Sequence, residues 1–274
     1  MVEKEAKIRT LTTVETFNHL DKKLSEESRL MFSRFGDIDF IMMQPENIGR
    51  TLGRSNKTLL TSSLHDEMIE SLLIEDENYL RCHVSNMPFE KGMDILNLQG
   101  NHKPGEHHYK HWNEDVMEKS INILGDIQSE KIFYNSCTFY MYATFKSNEL
   151  RDFIMRNILN KKKMFIGSRK KEHMEGLFGK IDYYVNTPEI NSYSEIDSWW
   201  PKVLKNIDNV DVVLPFTGQS SRVLNKRLWN LNSEVQSIDT GSWIDPYIGI
   251  VNRSWTKLAH RYIIEQIRLE NNEK

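Results

Sequence analysis

The feature that most limits the fold of this chain is the alternation of short apolar runs with stretches of helical period. Residues 13–27 place Val14, Phe17 and Leu20 at helical spacing with charges between them. Residues 29–35 read as a strand that ends at Gly36. A helix is expected over 57–74, on Leu59, Leu60, Leu64, Met68, Leu72 and Leu73, and a strand over 79–84. The segment 86–112 is the least regular, interrupted by Pro88, Gly92, Gly100, Pro104 and Gly105. Alternation then resumes with a helix near 113–126, a strand at 131–135 and a helix at 148–159. Four further strands are expected at 164–166, 181–184, 210–214 and 235–238, with helices at 195–206 and 219–230. A last helix, 253–269, would turn Trp255, Leu258, Ala259, Tyr262, Ile263 and Ile267 inward. Short apolar strands parted by amphipathic helices predict an α/β fold: a Rossmann-like, mainly parallel sheet with helices on both faces. We read 1–274 as one domain, with an N-terminal helix in 1–27, a catalytic core over 28–250 and a C-terminal helix in 251–274.

Composition narrows the function classes. A net charge of −3 gives no general attraction for a polyanion, so a nucleic-acid partner is not expected. The basic runs Lys161-Lys162-Lys163 and Arg169-Lys170-Lys171 read as solvated surface. Cys82 and Cys137 sit in apolar stretches and read as buried thiols, which fits a reducing compartment. The charged start, Met1-Val2-Glu3-Lys4-Glu5, leads into no apolar signal region. No run approaches the roughly 18 apolar residues of a membrane span. A cytoplasmic protein without a transmembrane segment is the expectation.

Ligands of parallel sheets bind beyond the carboxyl ends of the strands, and three strand ends here are chemically unusual. In Arg34-Phe35-Gly36-Asp37-Ile38-Asp39-Phe40, Gly36 permits a sharp exit and Asp37 is suited to cap a helix. Two carboxylates within one turn suit a hard divalent ion that takes its other oxygens from a diphosphate and water. Arg34 would add positive charge for the diphosphate or hold one aspartate. Asp-x-Asp by itself reads equally well as a helix cap with a surface salt bridge. In Met164-Phe165-Ile166-Gly167-Ser168-Arg169, a strand runs into Gly167, Ser168 and Arg169, where backbone N–H groups could receive an anion. An ordinary strand-to-helix turn is the alternative. The third end, Thr217-Gly218-Gln219, is another small polar turn before a helix. The next strand closes on Asp239 and, past Trp243, Asp245. Carboxylates beside aromatics suit sugar recognition, or a general base on an acceptor hydroxyl.

Two other signals carry less. His102, His107, His108 and His111 lack the glutamate of a His-Glu-x-x-His zinc motif, and read as a polar loop lining an acceptor site. Trp199-Trp200 reads as a helix packing face.

Taken in order, these segments resemble the GT-D type glycosyltransferases, bacterial enzymes that extend glycans on serine-rich adhesins and related polymers. The family's early Arg-Phe-Gly-Asp-Gly-Glu is matched by Arg34, Phe35, Gly36, Asp37 and, at the acidic position, Asp39. Its later Leu-Gly-Pro-Thr-Ala and Ile-Asp-Ile-Gly-His are similar to Phe216-Thr217-Gly218-Gln219-Ser220 and Ile238-Asp239-Thr240-Gly241-Ser242. Its Ser-Arg-Pro-Tyr looks like Ser136-Cys137-Thr138-Phe139-Tyr140, more loosely. Asp39 stands for a glutamate, Ser242 for a histidine, and Gln219 and Ser220 interrupt the Gly-Pro-Thr-Ala pattern. The resemblance implies transfer from a nucleotide-sugar, a UDP-sugar in the family, to a hydroxyl of a glycan or glycoconjugate. It also implies Mn2+ or Mg2+ held by Asp37 and Asp39. The donor would meet Arg34, Gly36, Gly167, Ser168, Arg169, Thr217, Gly218 and Gln219, with Asp245 and Asp239 as candidate bases. A binding protein of the same fold without turnover is the alternative. A methyltransferase would need a glycine-rich loop where this chain has the single Gly36.

Overall fold

The computed structural model describes residues 8–53, 57–84, 107–125 (107–113 as backbone), 130–251, 256–257 and 260. Its centre is an eight-stranded sheet in which every pairing is parallel. In chain order the strands are β1 (Ile8–Thr10), β2 (Leu30–Arg34), β5 (Tyr79–His83), β6 (Lys131–Asn135), β7 (Lys163–Gly167), β8 (Tyr183–Asn186), β9 (Val212–Phe216) and β10 (Gln236–Ile238). Two short strands, β3 (Thr51–Leu52) and β4 (Thr58–Leu59), form a separate antiparallel pair. Across the sheet the order is β1-β6-β5-β2-β10-β9-β7-β8. The helices are α1 (Thr13–Glu26), α2 (Asp37–Met42), α3 (Ser62–Leu73), α4 (His107–Leu124), α5 (Thr138–Phe145), α6 (Ser147–Asn157), α7 (Lys171–Phe178), α8 (Ile196–Leu204) and α9 (Ser220–Asn230).

Both faces of the sheet are covered, which is why the central strands are buried residue after residue rather than alternately. Phe32 meets Phe139 of α5 edge to face, and Arg34 on the same face reaches Tyr140 of α5. Met31 points the other way, paired in register with Tyr79, whose hydroxyl bonds Ser71 of α3. So α5, with α1 and α6 packed on it, lies on one face, and α3 with α9 on the other. Under the first face Phe17 stacks on Tyr142 at 3.6 Å between ring centroids. Cys82 and Cys137 are buried free thiols, and burial pushes both thiols above their ordinary range. Among the described residues no helix is long and apolar enough to cross a membrane.

The expected alternation is present, with local differences that have physical causes. Gly36, not Asp37, is the N-cap of α2, because the Asp39 carboxylate folds back to accept the Gly36 N–H at 2.7 Å. The helix expected from 57 starts at Ser62, where the Thr61 hydroxyl caps it by accepting the Leu64 N–H. Thr58 and Leu59 pair with β3 instead. Helix α4 begins at His107 rather than 113, so the backbone of His107, His108 and His111 is helical; His102 lies outside the described residues. Helix α5 was not foreseen: Thr138 through Thr144 are all buried, which leaves no polar stripe to mark a period. The expected helix 253–269 falls almost wholly outside the described residues. Trp199 packs inside as expected, 1% exposed, its indole N–H donating to the Ser192 carbonyl.

Candidate functional site

From β2 the chain steps outward through β5 and β6, then crosses to β7 and β8 and returns through β9 to β10, beside β2. The connections on the two sides of the β2–β10 pair therefore diverge. Such a switch point opens a crevice at the carboxyl ends of the strands, where parallel sheets bind ligands. The motif 34–39 leaves β2 there, and Asp239 leaves β10 with its N–H on the Phe32 carbonyl.

Asp37 and Asp39 point to different surroundings. Asp37, the first residue of α2, is exposed. Asp39 is fully buried, its Oδ2 accepting from Gly36 N and, at 2.8 Å, from Arg222 Nη2. Its Oδ1 is buried without a hydrogen-bond partner. Burial raises the Asp39 pKa, against the pull of Arg222, the Gly36 N–H and Arg34. Arg222 also donates from Nη1 to Asp239 Oδ2 at 3.1 Å and to the Gly218 carbonyl at 2.7 Å. Asp239 Oδ1 accepts the Gly241 N–H.

Arg34 ends β2 at the mouth of this cluster. Its Nη1 donates to the Tyr140 hydroxyl at 3.0 Å, and its guanidinium lies 4.8 Å from the centroid of that ring. The Tyr140 oxygen also accepts the Ser242 N–H and lies 3.3 Å from Ser242 Oγ. Burial disfavours the Arg34 charge, but Tyr140, Asp239 and Asp39 raise its pKa above the ordinary arginine value. Gly241 takes φ +68°, and a β-carbon there would stand 1.7 Å from Arg34 Nη1. Any larger residue there would have to displace the Arg34 guanidinium.

The remaining sequence-derived residues sit further along the same edge. Gly167 ends β7, three strands from β2, or about 14 Å across the sheet. There it packs against Phe216. Ser168 is partly exposed beside it. Arg169 is engaged, with Nε and Nη2 each 3.1 Å from Asp245 Oδ1 and Nη1 at 3.0 Å from Glu189. Asp245, 2% exposed, belongs to a 3-10 stretch, Gly241–Ile248, that runs from Arg34 and Tyr140 to Arg169. Thr217 hydrogen-bonds Ser221, and Gln219 Oε1 accepts from Thr58 Oγ1 of the β3–β4 pair. Thus Arg34, Gly36, Asp39, Gly218 and Asp239 form one group, and Arg169 and Asp245 a second.

Two residues central to this geometry were not singled out by the sequence. Arg222 lies in a helix that the sequence reads only as a connection, and the burial of Ser221, Arg222, Val223 and Asn225 together is visible only in the fold. Tyr140 was noted only as part of a motif. Among the described residues, no group of three or more His, Cys, Asp and Glu side chains converges to hold a metal ion.

No family model and no curated protein matches the sequence. Solved structures do. One, described as a new glycosyltransferase from Streptococcus sanguinis containing the domain of unknown function 1792, superposes with a TM-score of 0.63 at 17% identity. The alignment covers 88% of this chain and 84% of that one. A second, described as that highly conserved domain with a distinct glycosyltransferase fold, superposes with a TM-score of 0.60 at 14% identity, covering 88% and 81%. At such identities the likeness speaks for architecture. This chain has an α/β fold, built on a mainly parallel eight-stranded sheet, that matches the glycosyltransferase fold of those structures.

Proposed function

We propose that this chain is a glycosyltransferase that moves a sugar from a nucleotide-sugar, in our reading a UDP-sugar, to a hydroxyl of a glycan or glycoconjugate. The observation that carries the reading is the β2–β10 switch point, where Arg34 is locked beside exposed Asp37 in a sheet of glycosyltransferase architecture. Arg34 would meet the donor diphosphate, since its guanidinium is fixed by Tyr140 and Gly241 before any ligand arrives.

A divalent ion bound chiefly through phosphates needs only one or two protein carboxylates. Asp37 suits that role as the exposed oxygen donor, and Asp39 keeps one buried oxygen unsatisfied behind it. Mn2+ or Mg2+ so held would neutralise the diphosphate leaving group. Ser168, Thr217, Gly218 and Gln219 extend the donor surface along the edge in this reading.

A second reading, binding of the nucleotide or glycan without turnover, is favoured by one observation. Asp239 and Asp245, the candidate bases, are both committed to arginines, Asp239 to buried Arg222 and Asp245 to half-buried Arg169. A general base needs a lone pair within reach of the acceptor.

The test is a panel of nucleotide-sugars assayed for transfer and hydrolysis with and without Mn2+, in wild type and Asp37→Ala. The expectation is metal-stimulated turnover that falls about 100-fold or more in the variant. Undiminished turnover in Asp37→Ala, with or without metal, would remove Asp37 from the mechanism. UDP binding with no turnover on any donor would favour the second reading.

A further inference from the structure

We propose that Arg222 is a positioning residue for the donor site: one guanidinium that ties three adjacent strand ends together and sets the spacing of the groups that meet the diphosphate. The role rests on the donor-site reading above, but the geometry that argues for it does not.

Arg222 is the third residue of α9 and is 5% exposed. Its two terminal nitrogens reach Asp39, Asp239 and the Gly218 carbonyl. Asp39 lies in the first turn of α2, which follows β2, Asp239 follows β10 directly, and Gly218 follows β9. These strands are consecutive in the sheet, so one fork joins the segments that leave three neighbouring strands. Each partner passes the constraint on. Asp39 holds the Gly36 N–H and so the turn that presents Asp37. Asp239 holds the Gly241 N–H, and Gly241 lies against the Arg34 guanidinium. Gly218 stands between Thr217 and Gln219 at the start of α9.

Arg222 is buried and the bonds of both its terminal nitrogens run inward, so it is not placed to touch a donor itself. It would act through the backbone of three turns. A planar fork is needed: lysine offers a single point charge and satisfies at most one carboxylate well. The arrangement is also closed in charge, since Asp39 and Asp239 are faced by Arg222 and Arg34.

The test compares wild type with Arg222→Lys, and with Asp39→Asn, which removes the charge of one partner only. The first readout is amide hydrogen exchange, independent of any activity. The expected result is faster exchange, about tenfold or more, at 36–39, 217–219 and 239–241 together in Arg222→Lys. Faster exchange confined to α9, or none, would overturn the proposal. The second readout is UDP affinity and, where turnover exists, kcat and KM per folded molecule. Both variants are expected to bind UDP at least tenfold more weakly and, because each breaks a buried charged contact, to melt below wild type while still folded at the assay temperature. A lower melting temperature with unchanged affinity would mean a purely structural role and refute the proposal. If Arg222→Lys does not fold, Asp39→Asn carries both readouts alone. If wild type binds no UDP, the donor-site reading fails, and the exchange experiment still judges the coupling of the three turns.

Discussion

Gly241→Ala should be far more costly than its position in an irregular segment suggests. The residue adopts φ +68°, and an added β-carbon would lie 1.7 Å from Arg34 Nη1, 2.5 Å from the Tyr140 hydroxyl and 2.7 Å from Arg34 Cζ. Holding any β-carbon in the left-handed region costs about 1–2 kcal/mol. The methyl group must also drive the guanidinium away from Tyr140. That breaks a charge-assisted hydrogen bond worth about 1.5–3 kcal/mol. The expected total is about 2.5–5 kcal/mol, or a fall in melting temperature on the order of 5–20 °C for a chain of this size. Gly249 and Gly49 supply the control, because they also have positive φ, +78° and +85°, yet nothing stands within 4 Å of their built β-carbons. Alanine at either should cost only the backbone part, about 1–2 kcal/mol. Urea unfolding of the three variants isolates the Arg34 contact as the difference between them. Equal losses at 241, 249 and 49 would show that Arg34 is not held as described.

Three further outcomes follow from the packing. Gly167→Ala should destabilise by about 1–3 kcal/mol, since its β-carbon would fall 2.9 Å from both Cβ and the carbonyl oxygen of Phe216 on β9. Chemical denaturation decides it, and a change under about 0.5 kcal/mol would mean that β7 and β9 yield easily. Lys163→Met should cost about 3 kcal/mol, because the buried ammonium donates to the carbonyls of Ile158, Leu159 and Lys161 at the end of α6. A neutral result would show that water takes over those carbonyls. For Glu67, burial opposes ionisation, but hydrogen bonds from Arg227 and Tyr193 and the charges of Arg227 and Lys226 hold its pKa below the ordinary glutamate value. A carboxyl lowered on folding stabilises above its unfolded pKa, and that contribution is lost as pH falls from about 4.5 through the depressed folded value. Glu67→Gln should therefore be less stable than wild type at neutral pH and flatten the acid side of the stability profile. An unchanged acid limb would refute the pairing.

The division between what was legible in the residues and what was not follows the range of the interactions. Strands β2, β5, β6, β7 and β9 and helices α1, α6 and α9 were readable because burial imposes a period on neighbours in sequence, and that period is local. The parallel, doubly covered sheet followed from their alternation, as did the crevice at the strand ends that held Arg34, Asp37 and Asp39. Strand β1 escaped because its three residues acquire meaning only when β6 pairs with them, and α5 because total burial erases the polar stripe. The site itself was decided by contacts across the chain. Asp37 and Asp39 are two residues apart and look like a pair, yet one is exposed while the other turns to Arg222, 183 positions away. Tyr140 finds Arg34 across 106 positions. Sequence determined which chemical groups would gather at the carboxyl edge of the sheet. Only the tertiary structure decided which of them face outward and which spend their charge on one another, because that choice depends on burial and on partners that no local pattern contains.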